Sequence, residues 1–133
     1  MPQQKLNIFL VDDDKIYQFT AKKTLESMGV GENISVYFDG QQAIQFIQNN
    51  LSEPENLPDV IFLDINMPVM DGWQFVDEFR KLNLPKKIRL YMVSSSVDEA
   101  DVQRSRQYAV IEDYIMKPVG RNRFQELLTS LGM

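Results

Sequence analysis

The sequence predicts an α/β fold in which one parallel β-sheet is covered by helices on both faces. Two observations predict it. Short apolar runs rich in β-branched and aromatic residues alternate along the chain with segments that have the spacing of amphipathic helices. Several of these runs are almost continuously apolar, which is typical of strands buried on both faces in a parallel sheet.

Five apolar runs are predicted to form the strands. They cover residues 6–11, 34–38, 60–63, 88–93 and 114–116. The second run differs from the others because apolar residues alternate with Ser35 and Tyr37. We therefore expect an edge strand there, with one face less deeply buried than the other.

The helices are predicted from apolar residues at helical spacing between the strands. These residues are Tyr17, Ala21, Leu25 and Met28 for the first helix, Ala43, Ile44 and Ile47 for the second, Phe75, Val76 and Phe79 for the third, and Phe124, Leu127, Leu128 and Leu131 for the fifth. The fourth helix is expected to begin near Ser96, because Ser96 and Glu99 have the spacing of a capping box. Asp14 is a suitable cap for the first helix, and Gly29 is well placed to end it.

Length and composition indicate one domain and exclude several kinds of site. The chain has 133 residues, of which 44% are hydrophobic, enough to supply one sizeable core. It contains neither cysteine nor histidine. Disulfides, thiol nucleophiles and the usual zinc ligands are therefore excluded, and any bound metal must be a hard cation held by oxygen.

Charge and hydropathy limit the expected partners. The net charge of −5 argues against binding to a nucleic-acid backbone, since that interaction is driven by lysine and arginine. The sequence has no segment resembling a signal peptide and no apolar run long enough to cross a bilayer. We expect a cytoplasmic protein with no nucleic-acid partner and no membrane partner.

Polar residues follow four of the five predicted strands. They are Asp12, Asp13 and Asp14 after the first, Asp64 after the third, Ser94, Ser95 and Ser96 after the fourth, and Lys117 after the fifth. Because ligands of open parallel sheets bind outside the carboxyl ends of the strands, we expect these side chains to meet at one edge. Clustered carboxylates repel one another, and a cation holds them ionised in a small volume. Mg²⁺ suits such a site best, since it takes one or two carboxylates together with waters and phosphate oxygens.

Each of these residues also has an ordinary structural interpretation. Aspartate and serine commonly cap the helix that follows a strand, and we interpret Asp14 and Ser96 in this way. A lone lysine is usually solvated, and the Lys117–Pro118 pair alone would indicate only a turn. The joint placement of aspartates, serine and lysine at corresponding strand ends is what favours a functional site.

Four segments carry this pattern: FLVDDD at 9–14, VIFLDINMPVMDGW at 60–73, YMVSS at 91–95 and DYIMKPVG at 113–120. Together they closely resemble the receiver domains of two-component response regulators, the CheY-like family. The resemblance extends from Lys5 to Leu131. It implies a doubly wound, flavodoxin-like receiver fold with five helices and five parallel strands in the order 2-1-3-4-5, and no output domain is expected after residue 131.

The resemblance also implies roles for individual residues. Asp64 would be the phosphoacceptor, and Asp13 would bind Mg²⁺ directly. Asp12 would help to hold the ion, often through water, and the main-chain carbonyl of Asn66 would join Asp64 in completing the protein ligands. The Lys117 ammonium would pair with the phosphorylated carboxylate.

Two further positions are implied to act as a switch. Ser94 lies where the family has a serine or threonine whose hydroxyl binds the phosphoryl oxygens. Tyr114 matches the aromatic residue that turns inward on activation and alters the surface made by the fourth helix, fifth strand and fifth helix. The bond between Lys117 and Pro118 is expected to be cis. Asp71 is interpreted as structural.

By this resemblance the chain is a stand-alone response regulator that accepts a phosphoryl group from a sensor histidine kinase or a histidine phosphotransfer protein. It would then bind a downstream protein effector or pass the group along a phosphorelay, and a phosphorylation-dependent homodimer is a further option. It would be a signalling switch and not an enzyme, beyond taking part in its own phosphorylation and dephosphorylation.

Two other functions are open at this point. One is a constitutive docking module with a receiver fold that is never phosphorylated. The other is a phosphatase of the haloacid dehalogenase type, which also uses an aspartate at a strand end with Mg²⁺, a serine or threonine, and a lysine. Those phosphatases generally have a second aspartate two residues further on, where this chain has Asn66.

Overall fold

The computed structural model describes residues 6–30, 33–96 and 98–131. Within them the strands are β1 (Ile8–Val11), β2 (Ile34–Tyr37), β3 (Val60–Asp64), β4 (Arg89–Ser94) and β5 (Ile111–Met116). The α-helices are α1 (Lys15–Ser27), α2 (Gly40–Asn49), α3 (Gly72–Phe79), α4 (Glu99–Ser105) and α5 (Arg121–Thr129). Lys5, where the resemblance begins, lies outside the described residues. No helix in the described ranges is both long and apolar enough to span a bilayer.

The strands form one parallel sheet in the order β2-β1-β3-β4-β5. This confirms the predicted fold class and strand order. The chain runs from β1 outward to β2 and then crosses back to β3, so the direction of winding reverses between β1 and β3. Sheets of this type bind ligands in the crevice at that reversal, outside the carboxyl ends of the two strands.

Alternate residues of the central strands enter separate hydrophobic clusters on the two faces of the sheet, as the period of a strand requires. On one face Leu10 and Phe62 pack with residues of α1 and α5. On the other face Val11 and Leu63 pack with residues of α2 and α3. Both faces of the sheet are therefore covered, which explains the nearly continuous apolar runs in the sequence.

β2 is the edge strand that the sequence predicts, but its two faces are more alike than expected. All four of its residues are half-buried. Ile34 and Val36 pack against the α1–α5 cluster, whereas Tyr37 packs against the α2–α3 cluster. Neighbouring residues of β2 therefore alternate in polarity, although they are buried to a similar degree.

The helix ends confirm three of the four sequence interpretations. Asp14 caps α1 by accepting a hydrogen bond from the Tyr17 main-chain N–H at 3.0 Å. Gly29 follows that helix with φ +79°, a left-handed conformation that glycine adopts without strain. Asp71 is structural, since it caps α3 in a reciprocal capping box with Gln74.

The prediction that Ser96 caps the fourth helix is wrong. The cap is Asp98, whose carboxylate accepts a hydrogen bond from the Ala100 N–H at 2.9 Å, and α4 begins at Glu99. Ser96 instead belongs to the loop after β4, where its main-chain N–H donates to the Ser94 hydroxyl at 3.3 Å. The local spacing of serine and glutamate could not reveal this competing partner.

Gly72 brings the start of α3 directly against the end of β3. Its main-chain N–H donates to the Ile65 carbonyl at 2.7 Å. A Cβ atom at this position would lie 2.7 Å from the Asp64 carbonyl oxygen and 2.8 Å from the Ile65 Cα atom. Only glycine permits this approach, because both neighbouring atoms belong to the main chain and cannot rotate away.

We expect Gly72→Ala to lower the free energy of unfolding by about 1–3 kcal/mol, the usual cost of overpacking a buried contact. Urea unfolding measures this decrease in the free energy of unfolding. Gly120→Ala is the matched control, since a Cβ atom at Gly120 would meet no atom within 4 Å. Equal stability of the Gly72→Ala variant and the wild-type protein would contradict the close approach.

Candidate functional site

Three aspartates meet at the carboxyl edge of β1 and β3. These strands are neighbours, and Val11 pairs with Leu63, so the residues that follow lie side by side. One carboxylate oxygen from each of Asp12, Asp13 and Asp64 lies within 4.8 Å of the other two. Asp12 is 3% exposed and Asp64 is 6% exposed, whereas Asp13 is open to solvent.

Asp12 is held by hydrogen bonds on both carboxylate oxygens. Its Oδ1 accepts from the Asp14 main-chain N–H at 2.9 Å. Its Oδ2 lies 2.7 Å from the Lys117 ammonium nitrogen, in an ion pair whose two side chains are both largely buried. The ammonium group also lies 4.6 Å from the centre of the Tyr17 ring, a cation–π contact.

Lys117 therefore pairs with Asp12 in this structure. The sequence placed Lys117 in the site through its expected contact with a phosphorylated Asp64, and the structure brings it to the same cluster through a different carboxylate. A charged ammonium beside a buried carboxylate offsets part of the cost of removing that carboxylate from water.

The cluster is electrostatically unfavourable without a cation. Burial first, and then the neighbouring charges of Asp12 and Asp13, raise the pKa of Asp64 to about 7 against the opposing effect of Lys117. Burial also raises the pKa of Asp12, although the hydrogen bond from Lys117 acts in the opposite direction. These carboxylates ionise reluctantly because each sits in a poorly hydrated place beside like charge.

The donor set fits Mg²⁺ among the common metals. All three side chains offer hard oxygen ligands, and the neighbouring Asn66 is exposed in the loop that follows β3. The three carboxylate oxygens lie within 4.8 Å of one another, so together they would hold one hard cation with its bound waters.

The predicted switch residues are connected through the loop after β4. Ser94 is 1% exposed, and its carbonyl accepts a hydrogen bond from the Lys117 main-chain N–H at 2.8 Å. Its hydroxyl accepts from the Ser96 N–H at 3.3 Å, and the Ser96 carbonyl accepts from the Tyr114 hydroxyl at 3.0 Å. Tyr114 is half-buried. The bond between Lys117 and Pro118 is cis, as the resemblance implied.

The loop after β3 contains a strained residue. Val69 has φ +68°, and the Met70 N–H donates across it to the Pro68 carbonyl at 2.7 Å. A positive φ is costly for a β-branched side chain, which crowds the main chain in the left-handed region. The Val69 side chain points into solvent, so the strain is held by the loop around it.

Several exposed apolar side chains lie on elements that meet the carboxyl edge of the sheet. The large hydrophobic residues that are exposed in the described part of the chain are Ile16, Phe19, Phe38, Val69 and Met116. Two of them lie on α1, and the others lie at or just beyond the carboxyl ends of β2, β3 and β5. Their positions in the chain therefore follow the strand ends, or lie on the helix that begins just after Asp12 and Asp13.

Three residues near the site were not identified from the sequence. Tyr17 was interpreted only as part of the apolar face of α1, and Ser96 as a helix cap. Gln18 was not singled out, although it is buried beside β1 and β2. The available signal was its position on a helix face that is otherwise apolar, three residues before Ala21 and seven before Leu25.

Comparison with known proteins agrees with this fold and site. The model of the response regulator receiver domain family matches residues 8–129. The sensor histidine kinase CheAY of Helicobacter pylori is 31% identical over 111 residues, which are 84% of this chain and 13% of that kinase. The chain spans less than half the length of curated relatives such as this one.

Solved structures show the same architecture. A two-component response regulator from Cytophaga hutchinsonii superposes with a TM-score of 0.84 at 28% identity, covering 98% of this chain and 100% of that one. The receiver domain of sensor histidine kinase PA1611 from Pseudomonas aeruginosa has a TM-score of 0.79 at 24% identity, covering 98% and 100%. That receiver domain holds a magnesium ion coordinated in its active-site cleft. The chain described here belongs to the response regulator receiver domain family.

We expect Asp64→Asn to stabilise the metal-free protein at pH 8 by up to about 4 kcal/mol, because it removes a buried carboxylate whose ionisation is disfavoured. The folded pKa of about 7 lies above the usual value of 3.8, so ionisation of Asp64 costs stability progressively as the pH rises from about 4 to 7. The difference between variant and wild type should therefore grow over that range and level off above it.

Thermal unfolding in a metal chelator between pH 4 and pH 8 measures this difference. Asp14→Asn is the control, since Asp14 is exposed and asparagine caps a helix as well as aspartate does. A wild-type protein as stable as Asp64→Asn at pH 8 would show that the Asp64 carboxylate is not destabilised.

Proposed function

We propose that this receiver domain accepts a phosphoryl group on Asp64 in a Mg²⁺-dependent reaction and so acts as a two-component signalling switch. The observation that carries the proposal is the meeting of Asp12, Asp13 and Asp64 with Lys117 at the carboxyl edge of the sheet. Asp12, Asp13, Asp64 and the main-chain carbonyl of Asn66 would hold the ion.

The chain itself supplies a nucleophile and fixed positive charge. A carboxylate oxygen of Asp64 attacks the phosphorus atom of the donor, forming an oxygen–phosphorus bond as the bond to the donor's leaving group breaks. Bound Mg²⁺ would neutralise charge that develops on the transferring phosphoryl oxygens. The ammonium of Lys117, held 2.7 Å from Asp12, also acts electrostatically on Asp64 and would pair with the acyl phosphate.

Ser94 and Tyr114 support a route by which phosphorylation changes the surface. The phosphoryl group adds about −1.5 to −2 charge and several acceptor oxygens, which attract the buried Ser94 hydroxyl. In this structure the Ser94 hydroxyl accepts a hydrogen bond from the Ser96 N–H, and the Ser96 carbonyl accepts one from the Tyr114 hydroxyl. A shift of Ser94 would break the first contact and alter the second, which changes the α4-β5-α5 surface.

The exposed apolar side chains around the site favour a protein as the phosphodonor. Ile16 and Phe19 lie on the outer face of α1, next to the cluster, and Phe38 lies beside the end of β2. A sensor histidine kinase or a histidine phosphotransfer protein would cover this face while presenting its phosphohistidine to Asp64. The activated surface would then bind a protein effector, form a homodimer or pass the group along a relay.

We expect one labile phosphoryl adduct when the protein is incubated with Mg²⁺ and acetyl phosphate, as measured by intact mass. The adduct should be absent from Asp64→Asn and from a sample kept in a metal chelator, because the first lacks the nucleophile and the second lacks the cation. Asp71→Asn, which changes the cap of α3 and leaves the carboxylate cluster intact, should still be phosphorylated.

The two alternative functions give different results in the same experiment. A constitutive docking module would form no adduct and would also fail to bind beryllofluoride. A phosphatase would turn over a generic phosphomonoester continuously, whereas a receiver would not. Absence of the adduct together with absence of a beryllofluoride complex would overturn the proposal.

We expect Ser94→Ala to form the beryllofluoride complex but to undergo a smaller conformational change over α4, β5 and α5. Backbone amide NMR shifts over α4, β5 and α5 on addition of beryllofluoride should fall to less than half of the wild-type values, because the hydroxyl that follows the phosphoryl oxygens is missing. Ser95→Ala, a change at the adjacent exposed serine, should keep the wild-type response. Equal responses of the Ser94→Ala variant and the wild-type protein would count against the switch.

A further inference from the structure

Gln18 is a buried polar residue that the proposed chemistry does not use. It lies on the inner face of α1 and is only 2% exposed. Its carboxamide nitrogen lies within hydrogen-bond distance of three main-chain carbonyl oxygens: those of Leu10 at 2.8 Å, Tyr37 at 3.1 Å and Asp12 at 3.2 Å. One side-chain amide therefore bonds to both neighbouring strands and to the turn that begins at Asp12.

These carbonyls lie where the β1 and β2 ladder ends and regular main-chain pairing stops. Val11 and Tyr37 are the last residues of the two strands, and the Asp12 N–H donates to the Tyr37 carbonyl at 3.0 Å. Gln18 adds a donor to that same carbonyl and to the carbonyl of Asp12 itself. It thereby satisfies buried acceptors at the point where the chain turns toward the carboxylates.

A simple packing role does not account for a glutamine here. Its carboxamide oxygen is buried and has no hydrogen-bond partner among the described residues. Leaving a buried acceptor unpaired destabilises the fold, and an apolar side chain of the same length would avoid this cost. The amide N–H groups therefore supply hydrogen bonds to main-chain carbonyls, which a hydrocarbon side chain in this position could not supply.

The main chain held by Gln18 matters most for the position of Asp13. Its carboxylate is exposed, and no hydrogen bond or ion pair to it is present within the described residues. The position of this carboxylate is thus set by the main chain of the turn. Gln18 anchors one side of that turn at the Asp12 carbonyl, and the Asp14 N–H anchors the Asp12 side chain on the other.

We infer that Gln18 is a positioning residue for the Mg²⁺-binding turn, because its carboxamide fixes the main chain that presents Asp12 and Asp13 to the ion. The inference rests on the proposed function and extends it to a residue outside the ligand set. Groups that orient metal ligands typically change metal affinity by about 10–100-fold when they are removed.

The test compares Gln18→Met with the wild-type protein in a Mg²⁺ titration, followed by the amide NMR signals of residues 12–14. Methionine keeps the length of the side chain and removes both donors. We expect the Mg²⁺ dissociation constant to rise about tenfold. The rate of phosphorylation by acetyl phosphate at saturating Mg²⁺ should stay within about twofold of wild type, since the nucleophile and Lys117 are unchanged.

Leu25→Ala is the matched control for lost stability. Leu25 is fully buried on the same face of α1, two turns from Gln18, and its truncation leaves a cavity that destabilises the fold. The Mg²⁺ dissociation constant of the Leu25→Ala variant should match that of the wild-type protein. Gln18→Asn, which keeps the amide but is one methylene too short, is the second variant if methionine prevents folding, and it should weaken Mg²⁺ binding at least threefold.

The outcomes separate the two claims. A wild-type protein that binds no Mg²⁺ would overturn the proposed function. A wild-type protein that binds Mg²⁺ with the same affinity as both Gln18 variants would overturn the positioning role alone. Equal weakening in Leu25→Ala would also overturn it, because the loss would then follow stability and not the position of the turn.

Discussion

The repulsion between buried carboxylates at the ends of β1 and β3 is the constraint on which the rest of the structure depends. Asp12 and Asp64 lie on neighbouring strands at the point where the winding of the sheet reverses. Each is shielded from water, and burial raises the pKa of both. The Lys117 ammonium at 2.7 Å from Asp12 offsets part of that repulsion and leaves a site that still favours a cation.

Much of the surrounding architecture holds these charges in place. The close approach of Gly72 fixes the main chain beneath Asp64, and Gln18 binds carbonyls at the ends of two strands. The Asp14 N–H binds the Asp12 carboxylate while the Asp14 side chain caps α1. Buried like charges repel one another, so neighbouring groups must hold them in place.

The site is also joined to β5 by hydrogen bonds. The Lys117 N–H binds the Ser94 carbonyl, and Ser94, Ser96 and Tyr114 form a continuous series of hydrogen bonds toward β5. Sequence reasoning identified Ser94 and Tyr114 as a pair through the family resemblance. It missed Ser96, because the capping-box spacing with Glu99 gave that serine a plausible local partner while its actual partners lie on β4 and β5.

The sequence by itself determined the order of strands and helices along the chain and the polar residues that follow four of the strands, because these patterns are local and repeat with the period of the element. It also placed Asp12, Asp13, Asp64 and Lys117 at one edge, since parallel strands end on the same side. Only the tertiary structure decided which of these groups touch. That Lys117 binds Asp12, and that Gln18 reaches two strands, depends on how helices pack across the sheet, which brings together residues far apart in the chain and leaves no periodic signal in it.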